Sequence, residues 1–208
     1  MKWNLVEVSK ETDHRFLNFY VLHYEVGDAA RERAYTYFLA SRREKGALLC
    51  ETTDFSRPDG VIMVLFAKGQ DGQKRLLLNR QFRPAINEYV YSLPAGLMDE
   101  GDESIGETAR REAREEAGAI LGEVSLLVRP SPTSEGLSDE LDCIVMADVI
   151  GIDKTHREAF EDIASNALSK EEFASLLDDE EAIIPLPLRA LALYLLETWE
   201  SKTDTGIA

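Results

Sequence analysis

The sequence predicts an α+β fold, with a small N-terminal antiparallel β element ahead of a larger domain, and three observations carry that prediction. Segments rich in aromatic and β-branched residues, separated by turn signals, make up most of the 208 residues. Helical periodicity is confined to three stretches, and a Ser, Asp, Pro and Gly connector, "TTDFSRPDG" at residues 52–60, divides the chain. The expected division is a β element over residues 1–56 and a main domain over residues 57–208.

Within the first part, "RFLNFYVLHYEV" (15–26) and "RAYTYFLAS" (33–41) flank "GDAARE" and read as an antiparallel hairpin. Beyond the connector, "GVIMVLFAKGQDGQKRLLLNRQF" offers two apolar runs joined by a turn, and "EVSLLVRP" and "LDCIVMADVI" supply two more strands. The helices are expected at 103–117, about 170–177, and 186–200. The last of these is apolar nearly all round and should pack against the sheet.

Composition narrows the function. A formal charge of −16 disfavours nucleic acid and anionic membrane as partners, because no basic patch offsets the repulsion. The longest apolar run, residues 61–67, is strand-sized, and "MKWNLVEVSK" lacks the apolar core of a signal peptide, so a cytoplasmic location is expected. Cys50 and Cys143 sit in apolar sequence and read as buried thiols. His14, His23 and His156 have no ligand spacing and read as structural or exposed.

The stretch that asks for a chemical explanation is "SLPAGLMDEGDESIGETARREAREEAGA" (92–119). On a helix, residues three and four apart share a face, so Glu112 sits beside both Glu115 and Glu116, and like charges repel. One reading is a solvated face laced with ion pairs, since Arg110, Arg111 and Arg114 are interleaved and Arg111 precedes Glu115 by four. The other is a site for hard divalent cations, whose ligands are carboxylate and main-chain oxygens. Context favours the second. The acidic turn ends at Gly118, a C-cap, and follows the "LPAG" turn, which can aim a main-chain carbonyl at the same ions.

Here the sequence resembles the Nudix box, the signature of the Nudix hydrolases. Gly96 opens it, Glu103 follows, and Arg111, Glu112, Ala113, Glu115, Glu116, Gly118 and Ala119 fill the later positions at the usual spacing from Glu103. There is one departure: six residues, not five, separate Gly96 from Glu103. Either the loop carries an extra residue or Asp102 stands in for the glutamate. The resemblance narrows to the ADP-ribose pyrophosphatase branch through "RQFRPAINEYVYSLPAGLMDEGD", although that branch usually has an acid where this chain has Ser92. Downstream, "PSPTSEGLSDE" is similar to the branch's proline-containing loop.

The resemblance implies a Nudix-type α/β/α sandwich with a mixed sheet, and metal-dependent hydrolysis of the pyrophosphate bond of ADP-ribose or a related nucleoside diphosphate sugar. It implies Mg²⁺ or Mn²⁺ held by Glu112, Glu115, Glu116, Glu103 and the Ala95 carbonyl, with Arg111 orienting the glutamates. Glu140 matches the branch's loop general base, with Glu135 as competitor. Arg83 and Arg42 are the expected phosphate or ribose contacts. Phe16 and Tyr35 are the expected adenine-stacking residues, in a β element that the branch exchanges between the protomers of a homodimer. Two rivals stay open: a hydrolase of GDP-sugars or other nucleoside diphosphates, and an ADP-ribose-binding module without turnover.

Overall fold

The computed structural model describes residues 1–28, 31–99, 101–153 and 163–200. They fall into two compact units, Met1–Asp59 with Pro130–Asp142, and Gly60–Arg129 with Cys143–Ala208.

The first unit holds a three-stranded antiparallel sheet in the order β1-β2-β3 (Lys2–Lys10, Asn18–Asp28, Arg31–Ser41) and a one-turn helix α1 (Leu49–Thr52). The hairpin of β2 and β3 is where the sequence predicts it, with Asn18 opposite Ser41 and Tyr24 opposite Tyr35. β1 is an addition: it pairs with β2 from Lys2 opposite Gly27 to Lys10 opposite Tyr20. One face of the sheet buries Val8, Tyr20, Leu22 and Leu39 against Leu48. Cys50 is half-buried rather than buried, because it sits on the one-turn helix at the margin of this cluster. Burial pushes its thiol up to about 11.

The second unit is built on a seven-stranded sheet in the order β10-β5-β4-β9-β8, with β6 beside β5 and β7 beside β4. The strands are β4 (Gly60–Lys68), β5 (Lys74–Arg83), β6 (Glu88–Ser92), β7 (Ala95–Leu97), β8 (Ala119–Pro132), β9 (Leu141–Ile152) and β10 (Ile163–Leu168). The helices are α2 (Ile105–Ala117), α3 (Lys170–Asp178) and α4 (Leu186–Glu197).

The continuous apolar run of β4 explains the layering. Alternate residues of a strand point to opposite faces, and here both faces are buried. Val61, Met63 and Leu65 pack with Ala109 and Ala113 of α2, while Val64 and Phe66 pack with Phe173, Leu188, Ala192, Leu195 and Trp199 on the α3 and α4 side. β9 divides in the same way, with Cys143, Val145 and Ala147 toward α2 and Met146 toward the opposite cluster. This is a sheet between helical layers, of α+β class.

α4 packs on the sheet through one stripe only. Leu188, Ala192 and Leu195 are buried, but Leu186 and Leu193 are largely exposed, so an all-round apolar pattern did not mean all-round burial. Among the described residues no helix is long and apolar enough to cross a membrane.

Candidate active site

The acidic helix is stopped at both ends by its own sequence. Ser104 caps α2, its Oγ accepting from the Glu107 N–H at 3.2 Å, and the Glu107 carboxylate accepts from the Glu103 N–H at 2.9 Å. Gly118 ends the helix in the left-handed region at φ 65°, which suits glycine, and its N–H returns to the Arg114 carbonyl. The small side chains of Ala109 and Ala113 let α2 lie close on the sheet.

That placement sets the acids against β7, which pairs with β4 through Ala95 opposite Ile62 and Gly96 opposite Val61. A Cβ at Gly96 would collide with the Glu112 carboxyl, so the glycine makes the space that this side chain fills. Burial pushes the Glu112 carboxyl upward from its ordinary range, and the neighbouring Arg111 opposes that shift. Glu116 turns the other way along the sheet, its Oε2 accepting from Asn79 Nδ2 at 2.9 Å and from the Ala95 N–H at 3.3 Å.

Arg111 joins these parts. Its Nη1 donates to Glu112 Oε1 at 2.8 Å and Glu115 Oε2 at 3.1 Å, and its Nη2 donates to the Leu97 carbonyl and to Asp102 Oδ2, both at 2.9 Å. Of the two adjacent acids Asp102 and Glu103, the first is the one beside Arg111. Asp102 takes the arginine and also accepts from Thr108 Oγ1 at 2.9 Å, and the guanidinium holds its carboxyl down to about 2. Glu103 is exposed just before the cap and is not drawn into this cluster.

The expected metal acids do not form a closed cage: among the described residues no three acidic or histidine side chains converge as a ready-made metal cluster. The donor set nonetheless suits a hard cation. Mg²⁺ commonly keeps several waters and takes one or two carboxylates, with substrate phosphate completing its shell. Glu112, Glu115 and Glu116, with the carbonyl of Ala95, the β7 residue whose N–H donates to Glu116, are oxygen donors of that kind.

The first unit holds the other candidates. Arg42 Nε lies 3.3 Å from Glu140 Oε1, and both line a cavity of about 250 Å³ with Ser41, Arg43, Asp59 and Asp139. The loop that carries Glu140 is tied down from below. Arg43 Nη2 donates to Asp59 Oδ2 at 2.6 Å, the same oxygen accepts from the Leu141 N–H at 2.8 Å, and Asp139 Oδ2 accepts from the Leu49 N–H at 3.1 Å. Glu135, by contrast, is exposed in the loop.

Arg83 is exposed at the end of β5. Strand alternation puts it on the face of Asn79, four residues and about 13 Å along. Phe16 and Tyr35 are not brought together in one chain. Phe16 precedes the end of the sheet where Asn18 meets Ser41, whereas Tyr35 sits opposite Tyr24, six positions further and about 20 Å away. Phe16 lies under the Arg15 guanidinium, and Tyr35 packs edge-on to Trp3 with centroids 5.2 Å apart. His14 is exposed, His23 is half-buried on β2, and His156 lies outside the described residues.

Residues 56–186 match the NUDIX domain, and the chain belongs to that family. Among its relatives, the nudix hydrolase 2 of Caenorhabditis elegans is 34% identical over 93 residues, which are 45% of this chain and 41% of that protein. The ADP-ribose pyrophosphatase of Saccharomyces cerevisiae is 32% identical over 111 residues, 51% of this chain and 46% of that protein. The matches therefore span less than half the length of these curated relatives. A solved ADP compounds hydrolase shares the fold, with a TM-score of 0.67 at 19% identity, covering 96% of this chain and 94% of that one.

Asp142 yields a prediction. Burial first, then the neighbouring Glu140 and Asp59 carboxylates, raise its carboxyl to about 6, against Arg42. A carboxyl raised on folding binds its proton more tightly in the folded state, so its charging costs stability above about pH 6, and the cost disappears toward pH 4, near its unfolded value of about 3.9. Asp142→Asn should therefore melt higher than wild type at pH 7, with the gap narrowing by pH 4. A wild type that is the more stable at pH 7 would contradict this environment.

Proposed function

We propose that this chain hydrolyses the pyrophosphate bond of ADP-ribose or a related nucleoside diphosphate sugar, giving AMP (or the corresponding nucleoside monophosphate) and a sugar phosphate. The observation that carries the reading is the acidic turn of α2, gathered by Arg111 against the Gly96 strand. The matched relative named as an ADP-ribose pyrophosphatase supports the substrate class.

Glu112, Glu115, Glu116 and the Ala95 carbonyl would hold Mg²⁺ or Mn²⁺. When bound, such ions relieve charge on the diphosphate and acidify a coordinated water. Arg111 acts through the carboxylates, holding Glu112 and Glu115 at fixed positions while its own charge offsets theirs. Glu140 is the proposed general base: it is half-buried and held beside Arg42 at the foot of a fixed loop, which suits a proton acceptor better than exposed Glu135. Arg83 is the proposed phosphate or ribose contact, with Arg42 as a second. Water attack on one phosphorus breaks its bond to the bridging oxygen, and the water proton goes to the base.

Phe16 and Tyr35 are proposed as adenine contacts contributed by two copies of the chain, since their separation in one copy is too large for a single ring. Exposed Trp3, Phe16, Tyr35 and Phe38, between 45% and 66% accessible, are apolar surface of the kind a homodimer covers.

The decisive assay is hydrolysis of a panel of nucleoside diphosphate sugars with Mg²⁺ and with Mn²⁺. ADP-ribose turnover to AMP is expected, and a folded protein that cleaves none of the panel would refute the reading. Glu116→Gln should fold normally yet lose most activity, and Mg²⁺ should no longer raise its melting temperature. For the base, Glu140→Gln should cost about a hundredfold or more in turnover. Near-normal turnover in that variant, with loss in Glu135→Gln, would move the role to Glu135. Sedimentation at micromolar concentration should give a dimer, and a fully active monomer would remove the shared adenine site.

A further inference from the structure

Asn79 is 2% exposed, in the middle of the apolar run of β5. A primary amide in such a place costs stability unless its polar atoms are paired, and here the pairing leads to the acidic helix. Its Nδ2 donates to Glu116 Oε2 at 2.9 Å, and its Oδ1 accepts from Ser165 Oγ at 2.8 Å. Ser165 is the register partner of Asn79 across β10 and β5, and Ser92 is its partner across β5 and β6. Directly opposed residues share a face of the pleat, so Ser92, Asn79 and Ser165 form a polar row on the face that meets α2.

The direction of this chain of bonds is fixed by chemistry. An ionised carboxylate only accepts, so the amide must turn its NH₂ to Glu116. Its oxygen then faces Ser165, whose hydroxyl must donate. If the amide flipped, its oxygen would confront the carboxylate, acceptor against acceptor, whereas the Ser165 hydroxyl could accept from the turned NH₂ as readily as it now donates. The carboxylate therefore selects the amide orientation, and the hydroxyl, donating to Oδ1, holds the side chain in it. The amide and the Ala95 N–H each give Glu116 Oε2 one donor, at 2.9 and 3.3 Å, and together they hold that oxygen in place.

We propose that Ser165 and Asn79 are positioning residues that orient Glu116 for a divalent cation, although Ser165 lies far outside the acidic box in sequence. Outer partners of this kind fix the rotamer and basicity of a ligand without touching the ion. The proposal rests on the reading of Glu116 as a cation ligand, and its test separates the two.

Mn²⁺ affinity is measured by electron paramagnetic resonance, without substrate, for wild type, Ser165→Ala, Asn79→Ala, the double variant and Glu116→Gln. Ser165→Ala and Asn79→Ala should each weaken Mn²⁺ binding by about tenfold, the lower end for lost outer-shell partners. The double variant should bind no more weakly than Asn79→Ala alone, because the serine reaches the Glu116 carboxylate only through the amide, its other contact being a long 3.5 Å approach to the Glu116 main-chain carbonyl. A purely structural role would instead lower the metal-free melting temperature and leave the affinity of the folded protein unchanged. Wild-type affinity in Ser165→Ala, or losses that add in the double variant, would overturn the relay while Glu116→Gln still loses Mn²⁺. Wild-type affinity in Glu116→Gln would overturn the cation reading itself, and the relay with it. Should Ser165→Ala not fold, the ratio of affinities between Asn79→Ala and Asn79→Gln decides, since glutamine keeps the donor and should bind Mn²⁺ the more tightly.

Discussion

The guanidinium of Arg111 is the constraint on which the rest of the site depends. It meets three carboxylates, Asp102, Glu112 and Glu115, and the Leu97 carbonyl, at 2.8–3.1 Å. The planar fork of arginine offers several donors in fixed directions, which a lysine ammonium could not reproduce. Without this charge the acids of one helical face would repel both one another and Asp102. The arrangement has a cost of its own: Arg111 Nε is buried with no hydrogen-bond partner among the described residues. A side chain that leaves one donor unsatisfied while gathering four acceptors is one whose position serves its neighbours.

The remainder of the second unit brings α2 to where Arg111 can act. β4 and β9 are apolar on both faces, so helices cover both sides of the sheet, and alanines at 109 and 113 let α2 approach closely. Gly96 then leaves room for the Glu112 carboxyl on the neighbouring strand. In the first unit, Arg43, Asp59 and Asp139 do for the Glu140 loop what Arg111 does for the helix, tying separate stretches of chain through charge-assisted hydrogen bonds.

How much of this was legible in the sequence depended on whether the signal was local. α2, its cap at Gly118 and the β4–β5 turn follow from neighbouring residues, and the acids along one helical face point to metal chemistry only when read with the flanking "LPAG" turn and Gly118. β1 carries no comparable signal, because five of its nine residues are exposed and its Lys and Glu residues break any apolar alternation. β6, β7 and β10 are short, and their pairing partners come from elsewhere in the chain. That Asp102, and not its neighbour Glu103, lies beside Arg111 needed the path of the loop. Asn79 was readable in principle as a polar residue at a core position of "LLLNRQF". Its partner Ser165 was not, as nothing in a sequence sets the register of two distant strands. The separation of Phe16 and Tyr35 likewise appears only in the pairing of β2 with β3.

The acidic turn of α2 is proposed as a cation site, not a salt-bridged surface. Crystals soaked in Mn²⁺ test it most directly through anomalous scattering. One or more strong peaks are expected in contact with the carboxylates of Glu112, Glu115 or Glu116 and close to the Ala95 carbonyl. An acidic turn without a peak, with Arg111 still spanning Glu112 and Glu115 at saturating Mn²⁺, would contradict it.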